Sequence, residues 1–150
     1  MPVRYFALIY GIVFLIVGIA GFVPGLVTMA DPAADVTADA GFGRLFGLFP
    51  INWLHNLVHI AFGIWGLAAY RTFSAARLYA RAVAVIYAIL TVMGLIPVLN
   101  TTFGLIPLYG HDVWLHALLA IVAAYFGFAP AHQVGGTVPA TTTTTTGRRV

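Results

Sequence analysis

The chain has 150 residues, 61% of them hydrophobic and 7% charged, with a mean hydropathy of +0.98. Soluble domains carry about a quarter charged residues, so this composition excludes a soluble globular protein and points to a membrane protein. There is no cysteine, which removes disulfide and thiolate chemistry, and the net charge of +3 comes from arginines alone, without a lysine; their placement speaks for topology and against a nucleic-acid partner.

Arg4 precedes the first apolar stretch, Tyr5 to Val27. Ala38-Asp39-Ala40 downstream resembles a signal cleavage site, but the apolar run exceeds a signal core of about 7 to 15 residues, so it is read as a retained span. A span needs about 17 to 25 residues, and three further stretches meet or approach that: Ile51 to Tyr70, Leu78 to Leu99, and Val113 to about residue 129. The expected fold class is all-α: an integral membrane four-helix bundle of two tandem helical hairpins over residues 1–129. The tail of residues 130–150, rich in Thr, Gly and Pro, is expected to be disordered and cytoplasmic. It contains His132, to which no role is given, and six consecutive threonines read as low complexity.

The loop after the first span holds Asp31, Asp35 and Asp39, which lack the alternation and glycine of a calcium loop. It ends in GFGRLFGLFP, whose Phe42, Phe46 and Phe49, with Trp53, suit an interfacial aromatic belt and predict a short interfacial helix. Arg71, Arg77 and Arg81 cluster at the connection of spans two and three, and Arg148 and Arg149 end the chain. By the positive-inside rule both termini are cytoplasmic, in a multi-pass protein of the cell membrane, expected to be a bacterial inner membrane.

Span two carries NWLHNLVHIAFGIWG, and WLH returns in DVWLHALLAIVAAYFG. The chain aligns with itself: Arg4 through Pro24 matches Arg77 through Pro97 without gaps, and FGLFPINWLH matches FGLIPLYGHDVWLH with four extra residues. Each copy holds two spans, so both copies enter the membrane in the same direction, as parallel repeats do, and His55 and His116 become partners. On a wheel of about 100° per residue, His59, Asn52, Asn56, Gly63, Gly66 and Tyr70 all fall within about 100° of His55. Trp53, Leu57, Ile60 and Ile64 lie toward lipid. Such a polar, small-residue stripe faces other helices, because an unpartnered amide or imidazole in hydrocarbon is costly. Matching seams are Gly11, Gly18, Gly21 and Gly25 on span one, Ala80, Ala84, Tyr87, Thr91 and Gly94 on span three, and His116, Ala120, Ala123 and Gly127 on span four. His55, His59 and His116 are expected inside the outer half, with His111 and Asp112 at its mouth.

NWLHNLVHIAFGIWGLAA, the second WLH and the four-span layout resemble the bacterial domain-of-unknown-function family numbered 4383, over most of residues 5 to 127. The resemblance implies a fold but no activity. The layout is also loosely similar to DoxX-like four-helix membrane proteins, some of which accompany quinone-linked oxidoreductases; fold alone does not carry function.

Three readings of the histidines follow. They are interhelical glue in a non-catalytic scaffold or accessory subunit, partnered by other subunits of a membrane complex or by copies of itself. Or they bind a cofactor: haem b between His55 and His116, with His59 beside them, or a divalent metal on His55, His59, His111 and His116. The third reading is a small transporter or proton relay, against which stands the lack of an acidic residue in the spans as drawn. No Ser/His/Asp arrangement or carboxylate pair within the spans supports hydrolase chemistry, and no enzyme activity is assigned from the sequence.

Overall fold

A computed structural model describes residues 2–30 and 35–130. Asp31, His132 and the threonine run lie outside the described residues. Helix α1 (Pro2–Ala20) opens on a proline, whose fixed φ suits a first helical turn, and gives way before Pro24 to a 3₁₀ turn, Pro24–Leu26. Three short strands follow, β1 (Val27–Met29), β2 (Gly43–Leu45) and β3 (Phe49–Ile51). Then come α2 (Trp53–Ala69), α3 (Phe73–Leu95) and α4 (His111–Phe128). Asn52 and Thr72 start α2 and α3 by accepting a hydrogen bond from the amides of His55 and Ala75, the favoured means of satisfying a free N–H at a helix start.

The strands correct two expectations: the fold is mostly helical, not all-α, and the loop between the first two helices forms a sheet instead of an interfacial helix. The antiparallel order is β1-β2-β3, with Val27 opposite Leu45 and Gly43 opposite Ile51. The reason is local. Gly41 and Gly47 take positive φ (66° and 73°) and Pro50 offers no amide, so a helix across this stretch would cost several unfavourable residues.

Helices α1, α3 and α4 are each long and apolar enough to cross a membrane; α2, at 17 residues, sits at the lower end of the span range of about 17 to 25. The chain is a membrane protein, and its burial pattern agrees. Large aliphatic residues such as Ile16 and Ile121 point outward, 61% and 69% exposed, while the interior holds alanine, glycine, aromatic and polar side chains.

Helix α1 packs chiefly along α2, and α3 along α4, with α1 also touching α3. A Cβ placed on Gly66 would lie 2.7 Å from Gly11 Cα, and one on Gly63 2.8 Å from Leu15 N, so the α1–α2 approach is backbone on backbone. Gly25, drawn on the same seam from spacing, instead sits in the 3₁₀ turn with open space around it. At the end opposite the sheet, Arg4 Nε donates to the Tyr70 carbonyl at 2.8 Å, and Arg77 Nε to the Gly127 carbonyl at 3.0 Å. Each arginine thereby occupies a free carbonyl at the C-terminal end of the neighbouring helix.

The two Phe-Gly-Leu-x-Pro segments share a positive φ at their first two residues. Phe46 and Phe103 have φ of 54° and 60°, and the following Gly47 and Gly104 have 73° and 84°. In both, the proline (Pro50, Pro107) is buried and the phenylalanine exposed. Phe14 of α1 stacks on Tyr87 of α3 with ring centroids 5.5 Å apart.

Candidate functional site

The N-terminal ends of α2 and α4 bring together Asn52, His55, Asn56, His59, Asp112 and His116, all buried. His55 lies in the first turn of α2 and His59 one turn on, their ring centroids 4.6 Å apart. His116 faces them from α4, 6.3 Å from His55, with Tyr87 of α3 stacked on it at 4.8 Å. Phe14 packs against His59 at 5.6 Å.

The hydrogen bonds define the ring tautomers. His59 Nδ1 is 3.1 Å from the His55 carbonyl, and His116 Nδ1 is 2.7 Å from the Asp112 carbonyl. A carbonyl only accepts, so in both rings Nδ1 carries the hydrogen and Nε2 keeps a lone pair. Among the described residues, His55 Nδ1, Asn56 Nδ2 and Asp112 Oδ2 are buried without a hydrogen-bond partner of good geometry, although the Pro50 carbonyl lies toward the His55 ring. Asp112 Oδ2 does lie 3.4 Å from His116 Nδ1, but that nitrogen's hydrogen is already directed at the main-chain carbonyl, so the carboxylate oxygen remains unpaired. One ligand atom each from His55, Asp112 and His116 lies within 4.8 Å of the others.

Sequence reasoning missed Asp112 as a member of this cluster. It is 2% exposed, inside α4, because the helix begins two residues before the apolar run from which the span was drawn. The signal was present in its spacing of four from His116, one helical turn. His111, offered as a metal ligand, is exposed at the first position of α4 and is not one of the grouped ligand residues; it points about 100° away from Asp112 on the helix, to the side opposite the buried Val113.

The Asn residues behave differently from one another. Asn52 is fully satisfied: its Nδ2 donates to the carbonyls of Ala38 and Leu105, both at 2.7 Å, and its Oδ1 accepts from the His55 amide at 2.8 Å. Asn56 rests where Gly21 leaves room, since a Cβ on that glycine would overlap its amide group. Gly63 and Gly66 are against α1, whereas Tyr70 is at the opposite end of the molecule from the histidines, under Arg4 with the guanidinium 5.0 Å from its ring.

A cavity of about 180 Å³ opens beside the imidazoles, lined by His55, His59 and His116 and otherwise by residues such as Phe62, Leu90 and Ile106. Asp112 does not line it, so the carboxylate lies behind the histidine pair as seen from the cavity. The volume is below the range of about 300 to 1,000 Å³ for sites that take drug-sized ligands, which leaves no slot for a porphyrin between His55 and His116.

Neither the curated proteins nor the solved structures contain a match to the chain. The family described as Domain of unknown function (DUF4383) matches residues 4–129, which span all four helices and every residue of the buried cluster. The chain belongs to that family.

Proposed function

We propose that this protein is a four-span bundle of two repeated hairpins, both termini cytoplasmic, that holds one divalent transition-metal ion on His55, Asp112 and His116. The carrying observation is the orphaned Asp112 Oδ2, buried with His55 and His116 in one three-residue group whose ligand atoms fall within 4.8 Å of one another. Polar residues that merely join helices have their hydrogen bonds satisfied within the protein, because an unpaired polar group in a hydrocarbon environment is costly. Asn52 meets that description; the His–Asp group does not, and it differs from the likewise unpaired Asn56 Nδ2, which is a donor only, in offering metal-ligating atoms. A bound ion supplies the missing partner.

Around a first-row ion at about 2.0 to 2.2 Å from each ligand, donor atoms sit about 3.4 Å apart, so ligand atoms that now lie within 4.8 Å of one another close by about an ångström at most on binding. Two neutral imidazoles and one carboxylate leave a divalent ion one net positive charge and at least one open coordination position. That donor set suits zinc or iron(II). His55 and His116 line the cavity while Asp112 does not, which supports placing the open position on the cavity side. Haem is disfavoured by the same cavity's size.

The repeat is supported by the shared positive φ at the first two residues of the two Phe-Gly-Leu-x-Pro segments and by the paired roles of Arg4 and Arg77. Asn52 favours a second, structural role for the asparagines, as the scaffold that ties the outer loops together. Elemental analysis of the purified chain, carrying no histidine tag, tests the metal reading. After loading with zinc or iron(II) and desalting, about one ion per chain is expected, with affinity at least tenfold lower in Asp112→Asn and retention lost in His55→Ala. Wild-type protein that keeps no ion overturns it.

A further inference from the structure

The cavity beside the imidazoles carries a separate inference, drawn for the ion-free protein. It has a volume of about 180 Å³, and apart from the three histidine rings and Thr102 its walls are aliphatic and aromatic. An apolar cavity of about 150 Å³ stays dry and accepts benzene, so this one has room for a molecule of that size. Its lining comes from α2, α3, α4 and the α3–α4 loop.

Access from water is obstructed. The amides of Thr37 and Ala38 both donate to the Gly104 carbonyl, at 2.9 and 3.0 Å, and Asn52 joins Ala38 to Leu105. The two outer loops are thereby fastened to each other over the histidine end. Access from the side is less obstructed: α2 and α3 touch only slightly, and the cavity residues between them, Val58, Ile86 and Leu90, are half-buried. That seam faces the hydrocarbon.

The geometry points to a binding site for a small, uncharged, apolar molecule of benzene size or less, which enters from the bilayer between α2 and α3 and rests against the imidazoles of His55, His59 and His116. Among the described residues no charged side chain lines the ion-free cavity, and in that state an ionised ligand would pay a desolvation penalty there without compensation.

The test uses the full chain in lipid nanodiscs after EDTA treatment, so that cavity binding is read apart from metal content. Benzene is titrated while the isoleucine and leucine methyl groups are followed by NMR. Saturable shifts are expected at Ile86, Leu90, Ile106 and Leu108, with linear, non-saturating shifts at the lipid-facing Leu118 and Ile121. Ile106→Phe fills the cavity and weakens the saturable binding at least tenfold; Leu90→Phe does the same from another wall and serves if the first variant does not fold. Leu118→Ala leaves it unchanged. Shifts that never saturate, or that are equal at cavity and lipid-facing methyls, overturn the proposal, as does saturable binding that survives in a folded cavity-filling variant.

Discussion

Asn52 holds three segments with one side chain. Its oxygen caps α2 at the His55 amide, and its nitrogen bridges the carbonyls of Ala38 and Leu105. Asn52→Ala removes a cap and two hydrogen bonds at a fully buried position, a loss of about 2 to 4 kcal/mol. Asn52→Asp keeps the cap acceptor but replaces the two donors with a carboxylate aimed at two carbonyl oxygens. Thermal unfolding in detergent should therefore find Asn52→Asp no more stable than Asn52→Ala; restoration of wild-type stability by aspartate would show that the cap alone matters. At this scale the histidines were legible because the repeated WLH word marked them, and Asn52 because its amide interrupts an apolar run. Asp112 was not: helix boundaries read from hydropathy are uncertain by a residue or two, and that margin separated a solvated loop carboxylate from a buried one.

Between elements, the α1–α2 contact depends on missing side chains. Gly66 sits on Gly11 Cα and the Ala7 carbonyl, at 2.7 and 2.8 Å from where a Cβ would be. Backbone atoms cannot give way as a flexible side chain can, so Gly66→Ala should push the helices apart and cost about 1 to 3 kcal/mol, the usual range for overpacking. Gly25→Ala meets nothing within 4 Å and should unfold within about 0.5 kcal/mol of wild type. Equal effects of the two substitutions in the same unfolding assay would argue that the glycines act through helix propensity and not through contact. The helices themselves were readable from apolar length and the seams from small-residue spacing. The sheet was not, since three-residue strands are too short for an alternating pattern to emerge, and the aromatic residues that suggested an interfacial helix serve equally well on a strand.

For the molecule as a whole, orientation rests on the arginines and is directly checkable, because the chain has no native cysteine. Single cysteines at Ser74→Cys, in the exposed first turn of α3 beside the arginine-rich connection, and Phe103→Cys, in the exposed α3–α4 loop, report opposite faces. A membrane-impermeant maleimide added to intact spheroplasts should label the second and reach the first only after permeabilisation; the reverse pattern would invert the topology and place the histidine cluster toward the cytoplasm. The fastening of Thr37 and Ala38 to Gly104 bears on how such a protein meets its ligand. With the watery entrance tied shut, occupancy follows the amount of ligand dissolved in oil, and two molecules that fit equally well are ranked by their partition coefficients. Aqueous concentration then understates exposure by the same factor, and a compound scarce in solution can still saturate the protein once the membrane has collected it.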